Sequence, residues 1–136
     1  MSITTKDNSK EVLSALKKAT ENGLKAIGMT AERYAKENET AIDTGYLRNS
    51  ITYAISGKSA NVSKYASNDG NKQGTYSGTA PKDDDKAVYI GTNVEYAPYI
   101  ELGASGREAL HFLKRAAEEH SEEYKELMAE SLKNAK

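Results

Sequence analysis

The chain has 136 residues, a net charge of −1, 38% hydrophobic residues and no cysteine. That length predicts one domain, and the missing thiols exclude a disulfide framework, thiolate zinc sites and a cysteine nucleophile. Charge this close to neutral argues against a surface built mainly to neutralise phosphates, leaving open only a local basic stripe.

Residues 1–10 carry no apolar core of signal-peptide length, and no run nears the roughly 18 apolar residues of a membrane span. The chain is therefore expected to be cytoplasmic where it is made. Over residues 8–39, Val12, Leu16, Ala19, Gly23, Ala26, Ile27, Tyr34 and Ala35 recur near the helical repeat and predict one long helix. Asn8 and Glu11 have the spacing of a capping pair, and Glu21/Lys25 and Glu32/Lys36 are oriented as stabilising ion pairs. Gly23 and Gly28 weaken such a helix by up to about 1 kcal/mol each. Close packing against another backbone would explain them, and a kink near Gly28 is the alternative.

Asp43-Thr44-Gly45 reads as a turn, followed by Tyr46, Leu47 and Arg48 and a strand through Ser56 with Ile51, Tyr53 and Ile55 on one side. Alternating pieces over residues 62–65 and 87–92 supply two further strands, and the three together predict an antiparallel sheet. Residues 67–86 contain almost no apolar side chain, which predicts a flexible loop within the domain. Tyr96-Ala97-Pro98-Tyr99-Ile100-Glu101-Leu102-Gly103 reads as a stiff aromatic corner: Pro98 fixes φ, Gly103 permits a left-handed stop, and the tyrosines are rigid anchors. From Ser105 onward, a Ser105/Glu108 capping box and Leu110, Leu113, Ala117, Tyr124, Met128 and Leu132 predict a final helix. Its outer side carries like-charge pairs at Glu118/Glu122, Glu119/Glu123, Glu122/Glu126 and Glu126/Glu130. These form either a solvated acidic face or an edge that meets Lys17, Lys18 and Lys25 of a neighbouring subunit. The fold class expected is α+β, with a long helix at each end of a small antiparallel sheet.

Candidate chemistry is sparse. Residues 69–74 open like a calcium loop, but Ala80 stands where the bidentate carboxylate belongs. Asp83, Asp84 and Asp85 suit magnesium less well than solvent, and His111 and His120 lack metal-ligand spacing. Asp43, Glu95 and Glu101 are the carboxylates near ordered motifs, each with a structural task at hand. The Asp-Thr-Gly of aspartic proteases is matched over three residues only. No catalytic residue, metal site or cofactor is assigned.

Nine Leu, seven Ile, four Val and one Phe make 21 bulky apolar residues, near 15% of the chain. Such a thin core predicts an obligate assembler that buries its remaining apolar surface against copies of itself or a neighbour.

The segments Asp43-Thr44-Gly45-Tyr46-Leu47-Arg48-Asn49-Ser50-Ile51 and Val88-Tyr89-Ile90-Gly91-Thr92-Asn93-Val94-Glu95-Tyr96-Ala97-Pro98-Tyr99-Ile100-Glu101-Leu102-Gly103 together resemble the tail-completion or neck protein family of long-tailed bacteriophages and their prophages. In that family a Pro-Phe-Leu-x-Pro-Ala segment opens the last helix. Here His111-Phe112-Leu113-Lys114-Arg115-Ala116 stands in its place without either proline, with Phe112 and Leu113 expected in the core. The resemblance implies a structural virion protein at the head–tail junction, not an enzyme. It would form a homo-oligomeric ring, join portal-connector and tail-tube proteins, meet DNA only as it passes through the channel, and use no membrane. Asp43, Leu47, Arg48, Tyr96, Tyr99 and Glu101 are the interface candidates, with Asp83, Asp84 and Asp85 as loop contacts. The alternative is a metal-dependent nuclease or DNA-binding module of a prophage.

Overall fold

The computed structural model describes residues 9–41, 44–82 and 86–135. Its spine is helix α1, Ser9–Asn38, whose 30 residues extend about 45 Å. Both internal glycines lie within this one helix, and each accommodates a neighbour. At Gly23 a Cβ would strike Met128 and Ser131, and at Gly28 it would strike the ring of Tyr53. The close approach is thus to side chains of packed elements.

Short elements follow: α2 (Tyr46–Ser50), β1 (Thr52–Ile55), β2 (Lys64–Ala66), β3 (Gln73–Thr75), β4 (Val88–Gly91), α3 (Ala97–Leu102), α4 (Phe112–Glu118) and α5 (Ser121–Lys133). The mixed α+β class with a long helix near each end is as expected. The sheet differs. Rather than three strands in one sheet, β1 pairs antiparallel with β4 in register Tyr53↔Ile90, while β2 pairs with β3 in a separate hairpin. The missed strand β3 lies inside the stretch read as one long loop. Its Gln-Gly-Thr has no apolar residue, and the strand is held by aromatic side chains from elsewhere.

Helix α1 packs against α5 and α4 and also against β1 and β4. The core between them contains Ala35, Tyr46, Leu47, Ile51, Tyr65, Val94, Ala97, Ile100, Phe112 and Ala116. Phe112 and Ile51 are fully buried, and Leu113 packs against this cluster from its margin. Ala19, Ala31, Ala35 and Ala116 are all buried, so small side chains fill part of the interior.

The final helical region is divided. The Ser105/Glu108 capping box is not used: Ala104 and Arg107 close a tight turn on each other, and α4 begins only at Phe112. His111 ahead of it sits in the left-handed region at φ 49°. Between α4 and α5 the chain turns at Glu119 and His120, so Glu118/Glu122 and Glu119/Glu123 straddle a break. Glu119 pairs with Arg115 at 3.2 Å, Glu122 with Lys125 at 3.4 Å, and Glu123 accepts a hydrogen bond from the Tyr34 hydroxyl at 2.5 Å. Tyr34 stacks on His120 at 3.5 Å, fastening this turn to α1. On α1 itself Glu32 pairs with Lys36 as expected, whereas Glu21 reaches Lys58 at 3.9 Å. Asn8 of the capping pair lies outside the described residues. Among the described residues no helix is long and apolar enough to cross a membrane.

Candidate functional site

The two sequence motifs, some forty residues apart in the chain, meet in space. The first turns at Gly45, whose φ of 79° and close approach to Asn68 leave no room for a side chain. Asn68 N–H donates to Thr44 O at 2.7 Å, and Asn49 Nδ2 donates to Ala66 O at 2.8 Å. Helix α2 is thereby clasped to the β2–β3 hairpin.

The second motif folds as helix α3, not as a bare corner. Pro98 falls in its first turn, where a missing N–H leaves no bond unmade. Gly103, at φ 84°, ends it.

Asn93 and Ser50 join the two motifs. Asn93 Nδ2 donates to Thr75 O at 2.9 Å, its backbone N–H donates to the Tyr76 hydroxyl at 3.1 Å, and its side-chain oxygen accepts from the Tyr65 hydroxyl. Tyr76 in turn donates to Ser50 O at 2.6 Å, while the Ser50 and Thr92 hydroxyls are bonded at 2.5 Å. Tyr46, Tyr65 and Tyr76 pack in tilted succession with ring centroids 5.2 and 5.4 Å apart. Burial, followed by the hydrogen bond with Tyr46, raises the Tyr65 pKa far above the ordinary phenol range. These hydroxyls are fixed in place by the packing and the hydrogen bonds around them.

Between the motifs lies an open cleft of about 350 Å³ lined by Glu39, Thr44, Tyr46, Lys72, Tyr96 and Arg107, among others. Lys72 Nζ lies 4.5 Å from the Tyr46 ring centre and 5.4 Å from that of Tyr96, so its charge is held over two aromatic faces. Glu39 is only 1% exposed and accepts a hydrogen bond from Ala41 N–H at 2.9 Å. Burial raises its pKa, opposed by that hydrogen bond and by the positive charges of Arg48 and Arg107.

The interface candidates have different surroundings. Tyr96, just before α3, and Tyr99, on it, are 38% and 62% exposed, and Leu102 at its end, which the sequence reading did not single out, is 70% exposed. Arg48 is exposed on α2, whereas Leu47 is buried in the core. Glu101 is committed internally: its two carboxylate oxygens accept from Leu113 N–H at 2.8 Å and Lys114 N–H at 3.0 Å. Asp43, Asp83, Asp84 and Asp85 lie outside the described residues.

The carboxylate of Asp69 likewise closes its own turn, accepting from Ser67 Oγ at 2.6 Å and Asn71 N–H at 3.0 Å. These bonds lower its pKa. Among the described residues no group of three or more His, Asp or Glu is placed to share a metal ion. Glu39, Lys72 and Arg107 were missed in the sequence. Lys72 lies in the polar stretch and Arg107 beside the unused capping box, and neither position carries a local signal of the cleft. Comparison with protein-family models, characterised proteins and solved structures returned no match.

Proposed function

We propose that this chain is a structural component of the head–tail junction of a long-tailed bacteriophage, assembling as a ring with connector and tail-tube proteins. The observation that carries the reading is the exposed aromatic and aliphatic face of α3, formed by Tyr96, Tyr99 and Leu102 beside the place where the two motifs meet. Large apolar side chains grouped on a rigid element are the composition of an interface centre, where tyrosine is favoured and truncation of one anchor often removes most affinity. Backbone hydrogen bonds from Leu110 N–H to Ile100 O at 2.9 Å and from His111 N–H to Glu101 O at 3.1 Å hold α3 in place, which lowers the ordering cost on docking. The surrounding carboxylates support this reading, since those of Glu101 and Asp69 are engaged by backbone N–H groups.

The test is co-assembly. The purified chain is mixed with the connector and tail-tube proteins encoded beside it, and the mass of the products is measured. Tyr99→Ala combined with Leu102→Asp is expected to abolish co-assembly while leaving the melting temperature within about 1 °C, because both residues are largely exposed. No association with any junction protein, or metal-dependent cleavage of DNA by the wild-type chain, would overturn the reading in favour of the nuclease alternative.

A further inference from the structure

Helix α1 continues past the elements that cover it. On α5, Ser131 Oγ donates to Ala19 O at 2.5 Å, and Asn134 and Ala135, the last described residues, line a cavity with Ala15 and Lys18. Beyond that point Val12, Leu13 and Leu16 are 54%, 65% and 43% exposed. At 100° per residue, Val12 and Leu16 prolong the stripe that Ala19 and Gly23 bury against α5, and Leu13 prolongs the one that Leu24 buries in the interior. An amphipathic face therefore runs on for two turns with no cover among the described residues.

We propose that this overhang docks on the outer face of α5 in a second copy of the chain, making a head-to-tail contact between subunits. Charge selects the occupant. Over residues 9–18, Lys10, Lys17 and Lys18 outweigh Glu11, so two overhangs laid together would set net positive against net positive. The outer face of α5 has the opposite balance: Glu122, Glu126 and Glu130 are exposed there and outnumber Lys125, which is paired with Glu122, and Lys133 of the last turn. Beside these carboxylates, Ala129 and the 40% exposed Leu132 form a narrow apolar seam. Lys10 and Lys17, on one border of the overhang, are placed to meet Glu126 and Glu130 when Leu13 and Leu16 reach that seam. Because the two surfaces differ, the contact is heterologous and repeats from copy to copy, closing into a ring or extending as a filament. The inference rests on the self-assembly part of the proposed function and names the surfaces that would carry it.

The test measures the mass of the full chain by sedimentation over a range of concentrations, at about 0.05 M and about 0.5 M salt. Wild type is expected to self-associate, more weakly at the higher salt. Leu13→Asp with Leu16→Asp is expected to leave a folded monomer by circular dichroism. Lys10→Glu with Lys17→Glu should weaken association about tenfold, and adding Glu126→Lys with Glu130→Lys should restore it. A wild type that stays monomeric throughout overturns the inference. So does an assembly that ignores the overhang substitutions, that the compensating pair fails to restore, or that is dissolved by Tyr99→Ala with Leu102→Asp. Co-assembly with connector and tail-tube proteins by a chain that fails these tests would leave the proposed function standing and remove only this contact.

Discussion

Replacing Glu101 with Ala should destabilise the fold through a helix it does not belong to. Helix α4 has no side-chain cap at its own N-terminus, where His111 occupies the cap position. Glu101 supplies the cap from α3, accepting from the second and third N–H groups of α4 at 2.8 and 3.0 Å. A helix cap is worth about 0.5–2 kcal/mol, and a hydrogen bond to a charged group about 1.5–3 kcal/mol. Glu101 is partly exposed, so water replaces some of what is lost. A net loss of about 2 kcal/mol follows. With an unfolding entropy of about 2.1 cal/mol/K per residue, a chain of this size loses about 3–4 °C per kcal/mol, giving a fall near 7 °C. Glu101→Gln keeps one acceptor oxygen but turns an amide donor towards an N–H, so about half the loss is expected. Calorimetry or thermal unfolding followed by circular dichroism reads both. An alanine variant within about 1 °C of wild type would show that the cap contributes nothing to folding, and α4 would then be held by Phe112 and Ala116 alone.

Two further outcomes separate packing from propensity and charge from shape. Gly28→Ala should lower stability by about 1–3 kcal/mol despite the helix-forming gain, because the new methyl meets the Tyr53 ring on β1. Gly23→Ala should lie within about 1 kcal/mol of wild type, since the flexible end of Met128 can move aside, and urea midpoints distinguish the two. For Glu39, burial raises the folded pKa above the ordinary 4.5, so its favourable contribution is present below that value and is lost as pH rises through the folded pKa. Glu39→Gln should therefore gain on wild type as pH increases from about 4 to about 7, and a difference independent of pH would refute the assignment.

How much of this was legible in the sequence depends on where each contact originates. Helix α1 was legible because its apolar repeat and its Glu32/Lys36 pair are local, and its C-terminal limit at Asn38 lies one residue inside the expected one. Strand β3 was not, since Gln73-Gly74-Thr75 acquires its place from Tyr46, Tyr65 and Asn93, which lie outside that segment. Gly74 is required there because a Cβ would meet the Tyr65 and Tyr46 hydroxyls. The beginning of the last helical region was misread for the same reason. Ser105 and Glu108 have the spacing of a local cap, but the N–H groups of α4 are satisfied by Glu101 across a turn. A local pattern identifies what a segment is able to form, whereas a remote partner decides which possibility is realised.

The same distinction bears on the candidate site. Both motifs were visible as strings, yet the cleft between them is completed by Glu39, Lys72 and Arg107, which belong to neither. Their residue types also change the character expected of an interface. A lysine over two tyrosines and a buried carboxyl near two arginines make the cleft polar and internally balanced, whereas Tyr99 and Leu102 form a largely apolar face just outside it. A partner docking on that face would therefore gain most from burying α3, while the cleft fixes the angle at which α3 is presented. Removing the Lys72 charge should then alter partner geometry or rate more than it alters the stability of the chain, because Lys72 is itself exposed. If α3 were only an internal corner, its outward side would have no reason to retain large apolar residues at Tyr99 and Leu102, and their replacement by polar residues would change neither folding nor assembly.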